Sequence, residues 1–288
     1  MKKRNLRKAR IKQLANKALG FVSPADHQDR ARLADASHWA GDLDFSLFDQ
    51  DGLILKASEG ATFKDSRFQD NVIQFVSSSL WEEKILGAYH FWREQYWAEE
   101  QAQNLWNAIQ KVADILKIDP SVLMDIVVLD VEGGKHSNNP GFTNAWKVGN
   151  QKRWADHVID TMEYIKGFAG KSPWLYINNN DYTANLASDK RLLNYKLWIA
   201  WPVPSAKNPI SPAPWTLWQN DWSGSVPWSN ASIDLNVYYS DVDQLHEDLR
   251  GTEPPHPPDV DPPPDNCDEE FNQALELGKQ ALEDLKRD

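Results

Sequence analysis

The chain has 288 residues, 41% of them hydrophobic and 25% charged, with a formal net charge of -11 and one cysteine. No apolar run approaches the ~20 residues of a membrane-spanning helix, which excludes an integral membrane protein. Cys267 alone cannot build an internal disulfide framework or a multi-cysteine zinc site, and leaves open only a bridge between two chains. The composition is unusual in its rings, with 14 Trp, 8 Tyr and 10 Phe. Aromatics at this density fill a core or, with their flat faces and polar edges, stack against sugars.

The ends differ in charge from the middle. Residues 1–20 carry eight Lys or Arg and no acid. The charges run on through Lys17, with no apolar stretch of about 7–15 residues behind them, so the segment is not read as a secretory signal peptide. Residues 1–27 are expected to form a basic arm, either solvated or in contact with anionic lipid or a partner protein; nucleic-acid contact by residues 1–20 fits the charge alone. Near the other end, seven prolines fall within the thirteen residues Glu253–Asp265, so residues 252–267 are read as an extended acidic linker and a domain boundary. Phe271, Leu275, Gly278, Leu282 and Leu285 then recur at helical spacing, predicting a short amphipathic helix over 268–288. Its apolar stripe calls for self-association, a virion or other partner protein, or the rest of a longer chain.

Residues 28–251 alternate β-like apolar runs with helical patterns. The expected strands are Leu33–Ala36, Leu53–Ser58, Ile85–Phe91, Ile126–Val131, Pro173–Ile177, Lys196–Ala200, Trp215–Gln219 and Ile233–Val237. Ala98, Ala102, Leu105, Trp106, Ile109, Val112, Ala113 and Leu116 describe an amphipathic helix, Trp154 to Ile165 another, and Phe68 to Phe75 a weaker one. Strands separated by helices imply crossovers and a mainly parallel sheet. Past Pro173 the connections shorten and lose helical pattern. The fold class is therefore α/β, an irregular TIM-like β/α barrel with eight strands and an incomplete helix ring.

In such a barrel, reactive groups gather at the C-terminal ends of the strands. Asp35, Glu59, the pair Asp130 and Glu132, and Asp234 lie at or near strand ends. Residues i and i+2 of a strand share a face, so Asp130 and Glu132 project together, and two acids that close cannot both ionise easily. One is then held protonated as a proton donor. Aromatic residues recur beside the acids: His38 and Trp39, then Tyr89, His90, Phe91 and Trp92, then Tyr176, Trp198, Trp201 and Trp218. Each is individually explained by a core role, and their coincidence with acids favours a glycan cleft. The chain carries no Gly-rich phosphate loop, no nucleophile elbow and no His-Glu-x-x-His, and His38, His90, His136 and His157 lack metal-ligand spacing, so no cofactor and no metal is called for.

Asp35-Ala36-Ser37-His38-Trp39-Ala40-Gly41, Lys56-Ala57-Ser58-Glu59-Gly60, Gly87-Ala88-Tyr89-His90-Phe91, Leu129-Asp130-Val131-Glu132, Trp198-Ile199-Ala200, Trp215-Thr216-Leu217-Trp218-Gln219 and Ile233-Asp234-Leu235-Asn236 resemble, in order and approximate spacing, glycoside hydrolase family 25, the Chalaropsis-type lysozymes. The resemblance covers about residues 30–250. It implies a muramidase cleaving the β-1,4 bond between N-acetylmuramic acid and N-acetylglucosamine. Glu132 would be the general acid, Asp130 would orient the substrate acetamido group, and Asp35 and Asp234 would complete an acidic floor. Configuration would be retained with help from that acetamido group. Substrate contacts would come from Glu59, Tyr89, His90, Phe91, Tyr176, Trp198, Trp201, Trp218, Gln219 and Asn236. The sequence departs from the family at Leu33-Ala34, Ala36 and Trp201-Pro202, which bears on the cleft rim more than on the reaction. Without a signal peptide, a bacteriophage origin is expected, with the enzyme in the host cytoplasm before lysis or on the virion, acting on the cell wall. Two rivals remain at this level, a non-catalytic glycan-binding or virion module on the same barrel and a chitin-type hexosaminidase.

Overall fold

The computed structural model describes residues 29–78, 80–132, 151–209, 211 and 213–250. The basic arm, the Pro-rich linker with Cys267, the C-terminal helix, Gly133-Gly134 and His136 lie outside them. Among the described residues there are nine strands: β1 Arg32–Ala36, β2 Gly52–Glu59, β3 Phe63–Lys64, β4 Ile85–Phe91, β5 Ile126–Asp130, β6 Trp174–Asn178, β7 Leu197–Ala200, β8 Leu217–Gly224 and β9 Ile233–Tyr238. They run β1-β9-β8-β7-β6-β5-β4-β2-β3, and β1 also pairs with β2, so eight strands close into a barrel with β3 as a short hairpin beside β2. The eight expected strands are all found. β8 extends beyond its expected end, and β3 was not foreseen.

The barrel is not uniformly parallel. β1, β2, β4, β5, β6, β7 and β8 follow one another in parallel, and β9 is antiparallel to both β8 and β1. A parallel return needs a crossover of roughly a dozen residues or more, and only residues 225–232 separate β8 from β9. Gly224 permits the close pairing there, since a Cβ on it would fall 2.4 Å from Leu235 Cδ1.

The helices are α1 Phe68–Ser77, α2 Ala98–Leu116, α3 Gln151–Ala169 and α4 Val242–Arg250, with shorter turns between them. α2 buries Ala98, Ala102, Leu105, Ile109, Val112 and Ala113, the stripe its spacing predicts. It stops at Lys117, which takes a left-handed conformation with φ 60° and returns its N–H to Ala113 O. Between β7 and β8 no helix occurs among the described residues, in line with an incomplete ring.

β5 is buried on both faces, so it reads as continuous Ile-Val-Val-Leu rather than as an alternation. Leu33, Ile54, Ile85, Ile126, Val128, Trp174, Trp198, Leu217 and Tyr238 fill the interior, and Leu245 of α4 packs with them. Leu53, Leu55, Leu86, Ala88, Val127, Leu129, Leu175, Ile177, Ile199 and Trp218 form the outer layer under the helices. This parity decides which side chains reach the site.

Candidate active site

The acids continue the inner rows. Leu33 is followed two residues on by Asp35, and Val128 by Asp130 and then Glu132, so all three point inward at the C-terminal mouth. β9 runs the opposite way, so its inner row reads Tyr238, Asn236, Asp234 towards that same mouth. Asp234 lies near the start of its strand and still joins the others. Asp35 and Asp234 are directly paired across β1 and β9.

Neutral side chains tie the floor together. Asp35 Oδ2 accepts from Asn236 Nδ2 at 2.8 Å and from Gln219 Nε2 at 3.0 Å, and Gln219 Nε2 also lies 3.3 Å from Asp234 Oδ2. Gln219 Oε1 accepts from the Tyr176 hydroxyl at 2.7 Å and from Trp222 Nε1 at 2.8 Å. Trp198 Nε1 donates to Asn236 Oδ1 at 2.8 Å, which fixes the Asn236 amide so that its nitrogen faces Asp35. The Tyr176 hydroxyl also lies beside Glu132 and favours its ionised form. Its single proton therefore serves either an amide oxygen or a carboxylate, and an ionised Glu132 is the stronger acceptor.

Burial sets the protonation of these acids. Asp35 is held well above the usual carboxylate range, first by desolvation and next by the charge of Asp234, against the lowering effect of the Asn236 and Gln219 hydrogen bonds. Desolvation and then the charge of Glu132 hold Asp130 well above that range too. Glu132 is raised by burial, with Lys56 and the Tyr176 hydroxyl opposing. Asp234 is raised to about 7 by burial, then by Glu132 and Asp221. Asp234 is thus poised to titrate near neutral pH, beside three carboxyls that are also raised. Asp130 Oδ1 is buried and has no hydrogen-bond partner, although buried carboxylate oxygens are normally satisfied.

A cationic corner, missed by a sequence search aimed at acids, borders the floor. Lys56 Nζ lies 2.7 Å from Glu59 Oε2, and Arg93 Nε and Nη2 reach Glu59 Oε1 at 2.9 and 2.5 Å. Lys56 and Glu59 share the inner face because the β2–β4 register skips a residue at Ala57: Lys56 pairs with Tyr89, Ser58 with His90 and Glu59 with Phe91. Both cations lie over the Phe91 ring, at 4.7 and 4.6 Å from its centroid. Burial raises the Glu59 carboxyl, but Lys56 and Arg93 outweigh it and hold it low. Glu59 is thus committed to two cations.

Parity places three of the expected substrate contacts on the outer side of the wall. His90 faces outward, fully buried, with Nδ1 2.8 Å from Ser58 Oγ and Nε2 3.3 Å from Gln101 Oε1. Burial lowers its pKa to about 3, so it is a neutral wall residue. Trp218 is buried in the outer layer with Nε1 donating to Trp201 O at 2.8 Å, and the Trp201 ring packs on it at 6.2 Å. Tyr89, Phe91, Tyr176, Trp198, Gln219 and Asn236 do lie on inward positions. At the rim, Trp39, Phe63, Trp97 and Trp222 expose large parts of their rings. Among the described residues, no group of three or more His, Cys, Asp or Glu is arranged to hold a metal ion.

A closed mixed barrel with four buried carboxyls of raised pKa at one mouth has the form of a glycosidase. The sequence profile of glycosyl hydrolases family 25 matches residues 34–228, and the chain belongs to that family and is a glycoside hydrolase. Lysozyme M1 of Streptomyces globisporus is 23% identical over 238 residues, spanning 78% of this chain and 72% of that protein. Among solved structures, the bacterial lysozyme of Streptomyces coelicolor superposes with a TM-score of 0.60 at 21% identity, over 76% of this chain and 96% of the other. A family 25 glycosyl hydrolase from Bacillus anthracis gives 0.59 at 21% identity, over 77% and 94%. At such identities the structural likeness establishes the barrel.

Proposed function

We propose that the chain is a peptidoglycan hydrolase that cleaves the β-1,4 bond between N-acetylmuramic acid and N-acetylglucosamine at the bacterial cell wall. The observation that carries the reading is Asp130 Oδ1, a buried carboxylate oxygen without a partner on the same inner row as Glu132. An acetamido N–H of the substrate supplies the donor this oxygen lacks. Held there, the acetamido carbonyl oxygen attacks the anomeric carbon as the glycosidic bond breaks, and Glu132, whose proton is held more tightly by burial, gives that proton to the departing oxygen. Glu132, now ionised and bonded by the Tyr176 hydroxyl, takes a proton from the water that opens the cyclic intermediate. The configuration is retained, and no carboxylate nucleophile is required.

In this reading Asp35 and Asp234 form the negative floor that favours positive charge developing on the sugar, and Tyr89, Phe91, Tyr176 and Trp198 shape the walls. Residues 28–251 act as the catalytic unit, and residues 1–27, 252–267 and 268–288 tune location or association. The test is digestion of purified peptidoglycan followed by analysis of the reduced fragments. New reducing ends on N-acetylmuramic acid are expected; ends on N-acetylglucosamine, or cleavage of chitin oligomers in preference to walls, would favour a different hexosaminidase. A chain that binds walls and cuts none would be a glycan-binding module.

A further inference from the structure

Trp222 sits on the part of β8 beyond its expected end, where the pairing with β9 shifts register twice. Trp218 pairs with Val237, Gln219 with Asn236, and Asp221 with Leu235, so Asn220 is an extra residue. Directly opposed residues project to one face. Leu235 packs in the outer layer, so Asp221 turns outward, and a second register shift before Gly224 leaves Trp222 and Ser223 both opposite Asp234, with the Trp222 indole bonded to inward-facing Gln219. Simple alternation from Gln219 would have aimed Trp222 at the outer layer. In that bond Nε1 donates to Gln219 Oε1 at 2.8 Å while 54% of the residue stays exposed. The indole is anchored by its polar edge to the acidic floor and open at the mouth.

Gln219 itself has nothing left to offer a ligand. A primary amide has two N–H donors and two oxygen lone pairs. Here they meet Asp35, Asp234, Tyr176 and Trp222. When Tyr176 turns its proton to Glu132, Trp222 is the donor that still holds the Gln219 oxygen. Of this set, Trp222 alone carries a large free surface.

We infer that Trp222 is a substrate-contacting residue whose ring stacks on a pyranose of the glycan strand, and that Gln219 is the positioning residue that fixes this ring relative to Asp35 and Asp234. The occupant is a sugar because the ring continues the wall of the carboxyl floor, with its polar edge already engaged and its flat apolar face left for C–H contacts. This inference rests on the glycan-hydrolase reading above.

The test uses the full chain in a Glu132→Gln background, retained on purified peptidoglycan. Trp222→Ala should weaken retention by on the order of tenfold, and Trp222→Phe, which keeps a ring, should stay within about threefold. In the chain with Glu132 intact, Trp222→Ala should raise KM more than it lowers kcat. Trp222→Leu, which keeps apolar bulk without a ring face, replaces the alanine variant if that one does not fold. Parental retention and parental KM in the ringless variants would overturn the inference, as would a loss confined to kcat. A change in sedimentation with retention intact would mark the ring as a contact between copies instead, and would also overturn it. If the Glu132→Gln chain binds no peptidoglycan and the parent releases no reducing ends, the function reading fails and takes this inference with it.

Discussion

Asp35 and Asp234 are directly opposed residues across the antiparallel seam between β1 and β9. Like charges at such a position repel: the charge of Asp234 raises Asp35 on top of the effect of burial, while Asp234 itself is raised by burial and then by Glu132 and Asp221. The barrel tolerates the pair because Gln219 and Asn236 place amide N–H groups against it.

Asn236→Ala would remove one of those donors and also leave Trp198 Nε1 without its acceptor in the barrel interior. The expected cost is ~1–3 kcal/mol of stability. Equilibrium urea unfolding checks it, and an unchanged midpoint would show that the Asn236 bridge contributes nothing net.

The raised carboxyl of Asp234 makes stability depend on pH. Its folded value is about 7 against an ordinary 3.8, so within that window the folded state binds a proton that the unfolded state has released. Stability therefore falls as pH rises through the window. Asp234→Asn should melt higher than the parent at pH 7 and above, on the order of 5 °C, with the gain vanishing near pH 4. Thermal scans across pH measure this, and a gain of equal size at both ends would rule out the ionisation as its source.

Two substitutions should move the alkaline limb of the pH–rate profile in opposite directions. A general acid must be protonated, so activity falls as pH rises through its pKa. Asp130→Asn removes a negative neighbour, making Glu132 easier to ionise, and the limb should shift to lower pH with most activity lost. Lys56→Met removes a cation that lowers both Glu132 and Asp130, and the limb should shift upward. Shifts of the same sign would contradict the coupling between this corner and the acid.

The eight strands and the acids were legible because β-branched and aliphatic runs ending in carboxyls are local signals. Facing was less so. His90 is one residue from Tyr89 and Trp218 one from Gln219, and composition near a strand end cannot separate inward from outward neighbours. Only the shared register, Tyr89 beside Val128 on the inner row, assigns them. The antiparallel course of β9 did have a local sign, a link too short and too poor in helical pattern for a crossover. The bulges at Ala57 and Asn220 had none, because each is defined by a partner strand, and with them the inward aim of Glu59 and Trp222 was hidden.

In the proposed mechanism Glu132 delivers the proton that breaks the glycosidic bond. The most direct test is the rate of peptidoglycan hydrolysis by Glu132→Gln beside retention of the same variant on the wall. The amide keeps the volume and the hydrogen-bonding capacity of the acid but has no proton to give. A fall of ~10² to 10⁴ in rate is expected, with wall binding and the melting profile preserved. Near-parental hydrolysis by a folded Glu132→Gln chain would contradict this role.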